Sequence, residues 1–171
     1  MTNHTNIFSR MISSALVAAA SCLMLASVAP AASASHYRLP VDNLITQTES
    51  DALKKAGIET TLALIGAISS TSGREQVAMK SGLTFARLTT IAAQVDLLRV
   101  NGLGPSMVRL LQAGGIRHAH DLATAAPADL HGRLEAANGV HRIAPVLPSE
   151  VILADWIGQA KALKSVVEGL Q

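Results

Sequence analysis

Short helical segments, separated by polar cap residues and glycines, follow one another along most of this chain. Residues 52–56 follow Asp51 and stop at Gly57, and residues 105–113 start at Pro105 and stop at Gly114. Small polar residues favour helix N-caps, proline favours the first turn, and glycine favours the residue after a helix. No stretch alternates between apolar and polar residues for long enough to predict a strand. The sequence therefore predicts an all-α protein.

The core of such a protein has to be aliphatic. Hydrophobic residues make up 49% of the 171 residues, but aromatic residues make up only 2%. Charged residues, at 15%, fall below the share of about 25% in typical soluble domains. High apolar content and low charge exclude a wholly disordered chain. The length predicts one domain of ordinary size.

The N-terminal segment, from Met1 to Ala34, has the pattern of a secretory signal peptide. Residues 1–10 carry a single charge, Arg10, and residues 11–29 are almost entirely apolar. Ala32 and Ala34 provide the small side chains that frame a cleavage site, so we predict cleavage after Ala34 and export to the periplasm or the medium. An uncleaved membrane anchor is the alternative, because about 20 apolar residues span a bilayer. Membrane contact is expected only in that case.

Two other interpretations of this N-terminal segment stay open. Residues 20–22 resemble a site for lipid attachment at Cys22, and a misplaced start codon would make the protein cytoplasmic. Cys22 is the only cysteine. Cleavage after Ala34 therefore excludes disulfides, thiolate metal sites and a cysteine nucleophile from the mature chain.

An internal repeat relates two parts of the chain at a constant spacing. Four residues of the first copy recur in the second: Leu53, Gly57, Ile58 and Leu64 match Leu111, Gly115, Ile116 and Leu122. We predict two helical units, at about 37–70 and 96–126, packed about a pseudo-twofold and followed by C-terminal helices over 127–168. At the same spacing residues 44–46 align with residues 102–104, so the first unit lacks a glycine turn there. Chance matching in a leucine-rich chain is the alternative.

Residues 97–116 resemble a helix-hairpin-helix motif. A first helix ends at Asn101, Gly102 and Gly104 permit a tight turn around Leu103, and a second helix starts at Pro105. The resemblance implies a phosphate site made by the backbone of Gly102, Leu103 and Gly104, with Arg109 as a nearby cation. A purely structural turn between two helices is the alternative.

The resemblance extends along most of the mature chain. Residues 73–83, 121–123, 127–131 and 155–161 occur in an order similar to that of an uncharacterised bacterial family. That family is a domain of unknown function built from tandem helix-hairpin-helix units. The resemblance covers about residues 37–163 and implies a two-unit all-α fold, but no activity.

Nothing in the sequence points to catalysis. His118 and His120 are two residues apart and face different directions on a helix, so we predict no metal site. We also predict no catalytic residue, no cofactor and no enzymatic activity. The leading hypothesis is an exported, non-catalytic helical module that binds an unidentified protein partner.

DNA is the alternative partner. Exported helix-hairpin-helix proteins can bind DNA, and Arg99, Arg109 and Arg117 would supply cations. However, the chain has 14 Lys plus Arg against 12 Asp plus Glu, and Arg10 leaves with the signal peptide. Affinity for DNA depends on several cation–phosphate contacts, so the sequence predicts weak binding.

Overall fold

The computed structural model describes residues 36–170, which form eight helices and no strand. The helices are α1 (Gln47–Lys55), α2 (Thr61–Ile68), α3 (Thr71–Ser81), α4 (Phe85–Leu97), α5 (Pro105–Ala113), α6 (Ala119–Thr124), α7 (Pro127–His141) and α8 (Glu150–Ala162). The all-α prediction is confirmed over this range, and the predicted signal peptide lies outside it. None of these helices has the length and apolar character that crossing a bilayer requires.

The helices form a four-helix arrangement that occurs twice. In the first half α1 packs on α3, α2 packs on both α3 and α4, and α3 packs on α4. In the second half α5 packs on α7, α6 packs on α8, and α7 packs on α8. The packing of α4 on α6 connects the halves. The repeated unit is therefore larger than the two-helix units that the sequence indicated.

The joint between the first two helices of each half has the same local structure. Gly57 and Gly115 both take left-handed backbone angles, with φ of +79° and +87°. The N–H of the next residue, Ile58 or Ile116, donates to a carbonyl five residues earlier, at 3.0 and 2.9 Å. This pattern ends a helix and satisfies its last carbonyls. The spacing of the sequence repeat is thus matched by equivalent geometry at this joint.

A four-residue turn occurs three times along the chain, at residues 41–44, 100–103 and 167–170. Each turn starts with a buried valine, and its third residue has a positive φ: 62° at Asn43, 83° at Gly102 and 76° at Gly169. The spacing of the sequence repeat aligned residues 44–46 with residues 102–104. In the structure, the equivalent turns are offset by one residue from this alignment. The first copy has two residues between the turn and the next helix, whereas the second has one. The first unit therefore contains the turn, with asparagine where the second has glycine.

The last helix is shorter than expected. The sequence predicted C-terminal helices up to residue 168, but α8 ends at Ala162 and Leu163 is extended, with φ −71° and ψ 132°. Residues beyond Leu163 lead into the third turn, which is held by the first half of the molecule. The N–H of Glu168 donates to the carbonyl of Ser69 at 2.8 Å.

A buried arginine on α3 fixes this contact. Arg74 is 2% exposed, and its Nη1 donates to the carbonyls of Ile68 and Ser69 at 2.9 and 3.2 Å. Its Nη2 donates to the carbonyl of Glu168 at 2.8 Å. One guanidinium therefore links the C-terminal end of α2 to the third turn, since its planar fork has donors for several acceptors at once.

A second arginine holds the first turn. Arg87 on α4 donates to the carbonyl of Leu44 at 2.6 Å and to both carboxylate oxygens of Glu49, at 2.6 and 3.1 Å. Glu49 also completes a capping box with Thr46 at the start of α1. The hydrogen bond from Arg87 is the main reason that the pKa of Glu49 falls to about 2.

Helices α4 and α8 are equivalent, but they are reached by connections of different length. Four of the residues buried along α4, Leu88, Ile91, Ala92 and Val95, have the same spacing as the buried residues of α8, which are Leu153, Trp156, Ile157 and Ala160. Residues 82–84 connect α3 to α4, whereas residues 142–149 connect α7 to α8. Both connections begin with a left-handed residue, Gly82 or Arg142, whose N–H closes the preceding helix. The ends of α3 and α7 are therefore equivalent, and the second connection contains an insertion after that end.

Candidate functional site

The turn that the sequence singled out as a phosphate site lies between α4 and α5 and uses much of its backbone internally. The N–H of Leu103 donates to the carbonyl of Val100 at 3.2 Å, and Leu103 itself is fully buried. The N–H of Asn101 donates to Gln159 on α8 at 2.8 Å. A Cβ added to Gly102 would lie 3.4 Å from the indole nitrogen of Trp156. The turn is thus packed against α8.

The start of α5 is more open than the turn itself. Gly104 is its N-cap and offers no side chain to accept a hydrogen bond, and Pro105 has no N–H to donate. Arg109 lies further along the same helix, is exposed, and forms no ion pair within residues 36–170. The predicted residues Gly104 and Arg109 are therefore available to a ligand, whereas Leu103 is not.

The other two candidate cations are occupied. Arg99 donates to Asp96 at 2.6 Å, and Arg117 donates to both carboxylate oxygens of Asp121, at 3.0 and 3.3 Å. Burial raises the pKa of Asp121, but the hydrogen bonds from Arg117 outweigh it and leave that pKa lowered. Sequence reasoning missed both carboxylates, because Arg99 and Arg117 lie outside the helices, where the spacing rule for opposite charges on a helix does not apply.

His118 has a structural task at the start of α6. Its ring is buried, and Nδ1 accepts the N–H of Asp121 at 3.4 Å, so the histidine caps the helix. Burial is the main reason that the pKa of His118 is lowered. His120 stacks beside it with ring centroids 6.3 Å apart. Within residues 36–170 no group of three or more potential ligands could hold a metal ion.

Exposed apolar side chains concentrate at the connection between α7 and α8. Val140, Val146 and Val151 are 76%, 74% and 80% exposed, and Ile152 is 45% exposed. We call these four residues the α7–α8 surface. Sequence reasoning missed it, because apolar residues in a connection are indistinguishable from core residues until the fold places them. The signal that could have indicated this surface is the greater length of the connection compared with the one between α3 and α4.

Comparisons with known proteins give one finding. No protein of curated function and no solved structure matches the chain. A family model described as "Domain of unknown function (DUF4332)" matches residues 43–163. This range takes in all eight helices, the second turn and the last two residues of the first turn. The chain belongs to this family of domains of unknown function.

Proposed function

We propose that the protein is a non-catalytic helical module that binds another protein through the α7–α8 surface. The observation that carries this proposal is the cluster of exposed valines at one connection, Val140, Val146 and Val151. Scattered apolar side chains are normal on a protein surface, but a concentration of them in one place is typical of an interaction site.

The surroundings of this surface fit the same function. The apolar residues are bordered by polar and charged side chains that are themselves exposed, including Arg142 and Glu150. An apolar centre with a polar rim is the usual anatomy of a protein–protein interface. Val146 lies within the insertion, and Val140, Val151 and Ile152 lie in the helix turns on either side of it.

Charged substitutions on the surface test the proposal. We expect the double variant Val146→Asp, Val151→Asp to lose a partner that tagged wild-type protein captures from an envelope extract, because two desolvated carboxylates are costly in an apolar interface. Both valines are exposed, so stability should change by less than about 0.5 kcal/mol for each substitution. Quantitative mass spectrometry of the captured proteins, after nuclease treatment, provides the measurement.

Met79→Asp is the matched control for this experiment. Met79 is 79% exposed but lies on α3, away from the α7–α8 connection. The control variant should capture as much partner as the wild type. If the double variant captures as much partner as the wild type, or if Met79→Asp loses as much partner as the double variant, the α7–α8 surface is not the binding site.

We also propose that the mature protein acts outside the cytoplasm. The supporting pattern is a charged start, an apolar run and the residues Ala32 and Ala34. Mass spectrometry of fractionated cells should find a mature N-terminus at or near Ser35 in a non-cytoplasmic fraction. Full-length protein in the cytosol would contradict export, and full-length protein in the membrane fraction would indicate an uncleaved anchor.

A DNA-binding helix-hairpin-helix module is the second candidate. The open start of α5 at Gly104 favours it, and so does the exposed Arg109, which has no ion-pair partner in the described part of the chain. On this proposal α4, the turn and α5 form the helix-hairpin-helix pair, and the first turn belongs to a second such unit related by a pseudo-twofold. The involvement of Arg99 and Arg117 in ion pairs counts against strong binding, because few cations remain for phosphate contacts.

We expect any affinity for DNA to be weak. Fluorescence anisotropy with duplex and single-stranded DNA at about 0.15 M salt should give a dissociation constant no tighter than the range of about 1 µM to 0.1 mM of non-specific binders. Arg109→Glu should weaken whatever binding is measured. Sub-micromolar binding that this variant abolishes, with helical circular dichroism intact, would rank DNA above a protein partner.

A further inference from the structure

A small cavity lies where α6 meets the C-terminal ends of α4 and α8. Its volume is about 110 Å³, and the third turn closes one side. The lining includes three permanent cations, Arg99, Lys161 and Lys164, but a single carboxylate, Asp96. Because the whole chain carries nearly equal numbers of basic and acidic residues, this is a local excess of positive charge.

The one carboxylate in the cavity is already used by the protein. Asp96 accepts Nη1 of Arg99 at 2.6 Å and the N–H of Ala119 at 3.2 Å. It therefore neutralises Arg99. Lys161 and Lys164 form no ion pair within residues 36–170, so the cavity lining includes two lysines without a counter-charge.

His118 also lines the cavity, and its Nε2 forms no hydrogen bond among residues 36–170. Nδ1 of His118 accepts the N–H of Asp121, so the proton of the neutral ring is on Nε2. The side chain is 5% exposed, and Oδ1 of Asp121 lies 3.6 Å from Nε2, beyond hydrogen-bond distance. An oxyanion in the cavity would supply Nε2 with an acceptor.

We propose that this cavity binds one small oxyanion of the size and charge of inorganic phosphate. His118 donates a hydrogen bond from Nε2, and Lys161 and Lys164 provide the opposite charge. A cavity of about 110 Å³ has room for several water molecules, and so for a phosphate group. The proposal is independent of the α7–α8 surface and of DNA binding.

Titration with inorganic phosphate tests the proposal directly. At a constant ionic strength of about 0.15 M, the His118 ring signals in a nitrogen–proton NMR spectrum should shift saturably, with a dissociation constant on the order of 1 mM. Lys161→Glu should weaken binding by about tenfold or more. Lys80→Glu is the matched control, because it makes the same charge change on the exposed side of α3; its affinity should stay within about twofold of wild type.

His118→Asn separates the donor from the cap. Asparagine is a good N-cap residue, so α6 keeps its acceptor while the Nε2 donor is lost, and phosphorus NMR should report binding weakened by about tenfold. If this variant loses helical circular dichroism, Lys161→Glu decides the question alone, since Lys161 is exposed.

A phosphate monoester such as phenyl phosphate distinguishes the two sources of the anion. Binding at least as tight as that of phosphate identifies the end of a larger molecule as the ligand, and exclusion of the ester identifies the free ion. Either result supports the cavity as an oxyanion site. Signals that do not saturate, or equal weakening by Lys161→Glu and Lys80→Glu, would overturn it.

Discussion

Gly73→Ala should lower the free energy of unfolding by about 3 kcal/mol, in the range of overpacked core substitutions. Gly73 lies in the first turn of α3, where the helix comes very close to the end of α2. A Cβ added there would lie 2.2 Å from the carbonyl oxygen of Ala67, and that oxygen belongs to backbone. Relief of the clash requires α2 and α3 to separate, which disturbs the helix pair on which α4 also packs.

The measurement is thermal and urea unfolding of Gly73→Ala, of the control variant Gly66→Ala and of the wild type. A loss of about 3 kcal/mol lowers the melting temperature by about 10 °C in a domain of this size. Gly66→Ala is the matched control, because Gly66 is in α2 and an added Cβ meets nothing within 4 Å. Alanine is the better helix former, so the control should gain about 0.5–1 kcal/mol. Similar stability of the two variants would contradict the close approach.

Arg74→Met should cost about 3–4 kcal/mol, since it leaves buried carbonyls without their charged donor. Methionine fills much of the volume but offers no hydrogen bond to the carbonyls of Ile68, Ser69 and Glu168. Arg74→Lys should be intermediate, because a single ammonium cannot reproduce the planar fork. The same substitution at an exposed cation, Arg109→Met, should change the free energy of unfolding by less than about 0.5 kcal/mol.

Hydrogen exchange gives this prediction a local readout. The N–H of Glu168 donates to the carbonyl of Ser69, so loss of the Arg74 fork should accelerate its exchange. The exchange rates of amides within α7 should stay closer to those of the wild type. Unchanged protection at Glu168, together with unchanged stability, would show that the third turn does not depend on Arg74.

Local signals in the sequence predicted the helices well where caps were strong. The prediction for α5 matches Pro105–Ala113 as observed, because proline starts that helix and glycine ends it. The last helix was predicted too long. Apolar residues like those of α8 continue up to Val167, although the helical backbone ends at Ala162. What stops α8 is a tertiary contact, the docking of Glu168 on α2 and α3, and no local pattern encodes it.

The candidate site was predicted less completely than the helices. The tight turn at residues 100–103 was recognisable from Gly102 and from Gly104 just after it, but its equivalents at 41–44 and 167–170 were not. Asparagine replaces glycine in the first, and the distances between copies differ because connections vary in length. The availability of each cation could not be predicted either, since it depends on which carboxylates the fold brings within reach.

The unequal connections in the two halves have a consequence for how this protein can change over time. Three residues are enough to join α3 to α4, so the additional residues between α7 and α8 are not required to build an equivalent helix pair. Substitutions at exposed positions of this connection, such as Pro145 and Val146, are therefore released from most of the demands of folding, whereas Ala144 is buried in the core. Binding properties at that end of the molecule can diverge among relatives while the packed helices stay the same.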